Sequence, residues 1–110
     1  MGEDVGGWAQ VQTTAGSREE ARAIASSVLA SRKAACVQIV GPIESRYWWE
    51  GRLEVAEEWL CLLKTTQAAV EDLCEAIRTH HSYDTPEITV TPLTGGSEPY
   101  LSWIEAETRS

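Results

Sequence analysis

Apolar and polar residues alternate along two long runs that flank Glu50-Gly51. The upstream run passes from Cys36-Val37-Gln38-Ile39-Val40 to Tyr47-Trp48-Trp49. The downstream run extends from Arg52 to Thr66, with Trp59-Leu60-Cys61-Leu62-Leu63 at its centre. β-Branched and aromatic residues favour strands. Gly51 suits the positive φ of a two-residue turn, and Glu50 is tolerated beside it. The pattern therefore predicts one long antiparallel hairpin. Proline at Gly41-Pro42 lacks a ladder donor, so a bend or bulge is expected there. Consecutive side chains of a strand point to opposite faces, so Trp59 to Leu63 is apolar on both. A buried helix could carry the same short run, but Glu57-Glu58 and Lys64-Thr65-Thr66 bound it tightly and favour the strand.

The rest of the chain alternates between the two periods. Residues 1–7 read as a disordered tail, and 8–110 as a single domain. Trp8 to Thr14 alternates as a strand, with Ala9, Val11 and Thr13 on one side. Ser17-Arg18-Glu19-Glu20 is a capping box, in which Ser17 and Glu20 each reach the other's backbone. Ala21, Ile24, Ala25, Val28 and Leu29 then form a helical stripe that ends near Ser31 to Lys33. Thr65 or Thr66 is expected to cap a second helix with the stripe Val70, Leu73, Cys74 and Ile77. His80 to Pro86 is a polar connection, and Glu87 to Leu93 alternates as a strand. Ser97-Glu98-Pro99 starts a last short helix, with Tyr100, Trp103 and Ile104 as its expected packing face. The order is β-α-β-β-α-β plus a terminal helix: an α+β, ferredoxin-like pattern. Helices cover one sheet face, so the apolar residues on the other need a second cover. Other copies of the chain are the expected one.

Composition narrows the partners. The 110 residues carry a net charge of −8, which disfavours nucleic acid and anionic membrane surfaces. Three cysteines without a Cys-x-x-Cys spacing make neither a disulfide framework nor a zinc finger. They fit a reducing compartment. The acidic start, Met1-Gly2-Glu3-Asp4, has no apolar run, so a cytoplasmic protein is expected.

Candidate chemistry is sparse. Cys61 and Cys74 sit in apolar contexts that suit packing, and Cys36 follows the positive Arg32-Lys33 pair. His80-His81 closes the second helix, where a cation suits the dipole and an imidazole can serve as a metal ligand. Adjacent helical residues point about 100° apart, so one of the two is expected to meet Asp84, Glu87 or a neighbouring subunit. Tyr83, Asp84 and Glu87 are either cleft residues able to move a proton or components of a turn. No phosphate loop or Ser-His-Asp signature is present, and the chain reads as non-catalytic.

Five blocks together resemble a known family. They are Ala34-Ala35-Cys36-Val37-Gln38-Ile39, Ser45-Arg46-Tyr47-Trp48-Trp49-Glu50-Gly51, Leu63-Lys64-Thr65-Thr66, His81-Ser82-Tyr83-Asp84-Thr85-Pro86-Glu87-Ile88 and Tyr100-Leu101-Ser102-Trp103. In this order they resemble the CutA family of divalent-cation tolerance proteins, from about Ala9 to Thr108. The resemblance implies a ferredoxin-like fold, a homotrimer and an architectural kinship with PII signalling proteins. It also implies tolerance to copper and other divalent cations, with His80 and His81 as metal ligands. The family's cysteine ligand is matched here by Thr13, and the proline usual after the second histidine by Ser82. Weak binding of Cu²⁺ or another divalent cation is the resulting expectation. The alternative is a PII-like trimer holding a small ligand between subunits, in a cleft lined by Thr13, Tyr83, Asp84 and Glu87, and signalling to a protein partner.

Overall fold

The computed structural model describes residues 6–109. Strand β1 (Trp8–Ala15) leads to helix α1 (Arg18–Ala30), then strands β2 (Cys36–Trp49) and β3 (Arg52–Thr66). A single 3-10 turn precedes helix α2 (Val70–His80); strand β4 (Ile88–Leu93) and helix α3 (Glu98–Glu107) complete the chain. The four strands form one antiparallel sheet in the order β2-β3-β1-β4. This is the βαββαβ arrangement with an added terminal helix. Of the expected tail, residues 1–5 lie outside the described residues, whereas the Gly7 carbonyl accepts the Gln67 N–H at 3.0 Å.

The hairpin turns where its sequence demands. Trp49 pairs with Arg52, and both residues between them have positive φ, 50° at Glu50 and 78° at Gly51. Such φ values at both central positions match the twist of the strands on either side. The expected interruption is a register shift between Val40 and Ile43. There Gly41 lets the Trp59 ring lie against the backbone: a Cβ would sit 2.4 Å from Trp59 Cδ1.

The core lies between the sheet and the two main helices. Val11, Ala15, Cys61 and Leu63 from β1 and β3 meet Ala21, Ile24 and Val28 of α1 and Leu73 and Ile77 of α2. The small Ala21 and Ala25 bring α1 close to the sheet, and the buried line runs 21, 24, 25, 28. Leu29, expected on this stripe, lies at its flank and is exposed. On α3 the buried pair is Leu101 and Ile104. Tyr100 and Trp103, expected to pack inward, instead stand exposed beside each other with ring centroids 5.4 Å apart. The helix is fixed from its other side, where Trp8 Nε1 donates to the Leu101 carbonyl at 3.0 Å. Neither threonine caps through its side chain. Thr65 Oγ1 donates to the Lys33 carbonyl at 2.7 Å, and Thr66 leads into the 3-10 turn without a side-chain bond.

The face turned away from α1 and α2 meets α3 at one end, where Trp8 and Cys36 bond to it. Leu60 and Leu62 are half-buried there by the chain itself. Farther out on the hairpin, past the helices and on the side that continues from Cys61 and Leu63, Trp48 is 72 % exposed and Leu53 61 %.

Candidate functional site

A polar junction forms where β1 ends, α1 begins and α2 gives way to β4. Ser17 is extended and caps α1, its Oγ accepting the Glu20 N–H at 3.0 Å. Glu20 reaches back, but one residue beyond the cap: its Oε1 accepts the Gly16 N–H at 3.3 Å. Its other oxygen, Oε2, accepts the Ser82 N–H at 2.7 Å. One carboxylate therefore joins the α1 start to the segment after α2. Burial alone pushes this carboxyl up, but the Ser82 donors and the Gly16 N–H outweigh it. The group titrates below its ordinary range.

His81 is the C-cap of α2, and its extended backbone turns the chain toward β1. The side chain is fully buried. Nε2 stands 2.6 Å from the Thr14 carbonyl oxygen. A carbonyl only accepts, so Nε2 carries the hydrogen. Nδ1 then presents a lone pair, which accepts the Tyr83 N–H at 3.2 Å. Glu20 Oε2 lies 3.6 Å from that nitrogen. The Tyr83 ring leans on the imidazole with centroids 4.8 Å apart, and its hydroxyl donates to Glu58 Oε2 at 2.9 Å. Burial and the Glu58 carboxylate push the phenol up to about 12. A Cβ at Gly16 would lie 3.0 Å from this hydroxyl, so glycine leaves it room.

His80 has a different environment. Its ring is exposed, with Nδ1 2.9 Å from the Ala76 carbonyl and Nε2 3.3 Å from Ser27 Oγ. The first bond places the hydrogen on Nδ1, leaving Nε2 as the acceptor at the surface. The two histidines thus serve different elements: one lies over α1, the other under the end of β1.

The remaining sequence candidates do not gather around them. Thr13 is fully buried on the helix-covered face, paired in register with Cys61 and Ile88. Its Oγ1 has no hydrogen-bond partner among the described residues. Asp84 is exposed. Glu87 is drawn to Gln12, whose Nε2 donates to its Oε2 at 2.7 Å. Within one chain Thr13, Tyr83, Asp84 and Glu87 therefore do not line a common cleft, and the small-ligand alternative gains no support from this arrangement. Burial pushes the thiols of Cys61 (to about 11, with Glu20 adding to the rise) and Cys74 upward. Both suit packing and not nucleophilic chemistry.

The donor set does not fit a tight metal centre within the chain. Among the described residues no three His, Cys, Asp or Glu side chains converge. Both nitrogens of His81 are engaged, and Thr13 offers a soft metal nothing comparable to a thiolate. Glu20 and Glu58, which complete the junction, escaped sequence reasoning as site residues. The capping box pointed to Glu20, but only for its local bond. Glu58 had no signal beyond bounding an apolar run.

Comparison with known proteins agrees with this fold. The family model described as CutA1 divalent ion tolerance protein matches residues 9–107. Protein CutA, chloroplastic, of Arabidopsis thaliana is 42% identical over 100 residues, which cover 91% of this chain and 55% of that protein. The chain thus spans little more than half the length of this plant relative. A divalent-cation tolerance protein CutA of Escherichia coli O139:H28 is 41% identical over 99 residues, covering 90% of this chain and 88% of its own. The crystal structure of CutA1 from Oryza sativa matches with a TM-score of 0.90 at 36% identity, covering 96% of this chain and 98% of that one. Among the described residues no helix is long and apolar enough to cross a membrane.

Proposed function

Because this chain belongs to the CutA1 divalent ion tolerance family, we propose that it acts in the response to divalent cations as a homotrimer that contacts the ion weakly at its surface. The observation that carries this reading is the unequal engagement of the two histidines. His81 spends both nitrogens on the fold, whereas His80 keeps Nε2 at the surface against only a serine hydroxyl. His80 is therefore the contact for Cu²⁺ or another divalent cation, and His81 supports it from within. One imidazole without two further ligands gives weak, exchangeable binding. The uncovered Trp48 and Leu53 support assembly, and the sequence resemblance supports three copies. The three free thiols suit a reducing compartment, which supports placement in the cytoplasm.

Isothermal titration with Cu²⁺ and Zn²⁺ tests the contact. His80→Ala is expected to remove most of the heat, while His81→Ala lowers stability before it changes binding. Identical titrations for the natural chain and the double His80→Ala, His81→Ala variant would sink the site.

A further inference from the structure

Glu20 does more than cap a helix. Its Oε1 is held by the Gly16 N–H and its backbone by Ser17, so the carboxylate is fixed from the α1 side. From there Oε2 takes the Ser82 N–H. Ser82 and Tyr83 are adjacent, and the next N–H along, that of Tyr83, points at His81 Nδ1. Fixing the peptide at Ser82 therefore aims the donor that occupies the imidazole lone pair. The opposite tautomer fails on the other side: with Nε2 bare, its lone pair would face the Thr14 oxygen at 2.6 Å.

We propose that Glu20 is a positioning residue that, through the Ser82–Tyr83 backbone, keeps the Tyr83 N–H on the Nδ1 lone pair of His81 while the Thr14 carbonyl holds the hydrogen on Nε2, and so withdraws this imidazole from cations reaching the surface. The cation contact assigned above to His80 is not needed for this inference. The occupied Nδ1 and its dependence on Glu20 are properties of the metal-free chain. The two readings can fail separately. His80 can prove inert while Glu20 still holds His81.

The test is nitrogen-15 NMR of the imidazole rings in metal-free, chelator-treated protein. The natural chain is expected to show His81 with a hydrogen on Nε2, slow to exchange, and an unprotonated Nδ1. Glu20→Gln keeps an oxygen for the Ser82 N–H and should preserve that signature. Glu20→Ala removes the acceptor and Glu20→Asp shortens it by one methylene. Both should release the Tyr83 N–H from Nδ1, moving the Nδ1 resonance toward that of a bare lone pair, and should speed exchange of the ring hydrogen. The shorter acid retains the charge at the helix start, so it decides the matter if the alanine variant does not fold. In a Cu²⁺ titration the variants that free Nδ1 should bind more tightly than Glu20→Gln. The expected gain is on the order of tenfold, the scale on which outer partners alter metal affinity. An Nδ1–H tautomer in the natural chain would overturn the proposal, as would an unchanged His81 spectrum in Glu20→Asp or Glu20→Ala.

Discussion

The Tyr83 hydroxyl stands 2.9 Å from Glu58 Oε2 and donates to a carboxylate that is only 6 % exposed. Glu58 has no other side-chain donor among the described residues. Tyr83→Phe therefore leaves a nearly buried acid without its hydrogen bond, at a cost of about 1–3 kcal/mol. Urea unfolding at neutral pH measures this loss. The sign of the pH effect follows from the raised phenol. The bond's contribution is fully present below the ordinary value of 10.0 and is lost as pH rises through about 12. An ultraviolet titration should show a late tyrosinate component that Tyr83→Phe deletes.

Glu20 acts in the opposite pH range. Its carboxyl is lowered from the ordinary 4.5, so its contribution is present above that value. It is lost as pH falls through the lower value of the folded chain. The thermal midpoint of the natural chain should exceed that of Glu20→Gln at neutral pH, since bonds to an ionised acceptor are the stronger ones. The gap should close in acid. A constant gap across the acid range would separate Glu20 from the acid response.

Gly41→Ala tests the fit of the Trp59 ring on the β2 backbone. The added carbon would stand 2.4 Å from Cδ1 and 2.9 Å from Nε1 of that ring. A whole indole in a packed site cannot yield cheaply, and overpacking of this kind costs about 1–3 kcal/mol. A lower unfolding midpoint, with a shift in tryptophan emission as the ring moves, is the expected result. Emission unchanged from the natural chain would show that the backbone gives way instead.

Trp48→Glu combined with Leu53→Glu tests assembly. The two residues face each other in the hairpin register and are the most exposed of its large apolar side chains. Paired acids there should dissociate a homotrimer while leaving the distant core intact. Light scattering should give three chain masses for the natural protein and one for the variant, with unchanged far-ultraviolet dichroism. A natural protein that already scatters as one chain removes the assembly.

Most of the architecture was legible because its signals are local. Glu50-Gly51 marked the hairpin, Ser17 the first helix, and the Gly41-Pro42 interruption the bulge, each through backbone chemistry within a few residues. The failures are those where tertiary packing chooses between nearby options. Leu29, Tyr100 and Trp103 are apolar, but helix contact lines are set by their small or central neighbours, so these three turn outward. Thr65 was free to cap a helix by its sequence, yet the Lys33 carbonyl, 32 positions away, claims its hydroxyl. The site shows the same limit. His80 and His81 are conspicuous as residue types, but their division of labour is set by Ser27, Thr14 and Glu20. The Glu20 bond to Ser82 spans 62 positions, and no spacing rule announces it.

Strand β1 ends at Ala15, opposite Trp59. Beyond that point the stretches from Ile43 to Trp49 and from Arg52 to Glu58 pair only with each other. A two-stranded ribbon is marginal by itself in water, and it shares little of the cooperative unit that the four-stranded part forms with its helices. The arm should therefore open at low free energy while the body stays closed. In a single copy its amides should exchange early, and a protease should cut there first. Any protection measured along the arm is then a gauge of what neighbours it, independent of the interior of its own chain.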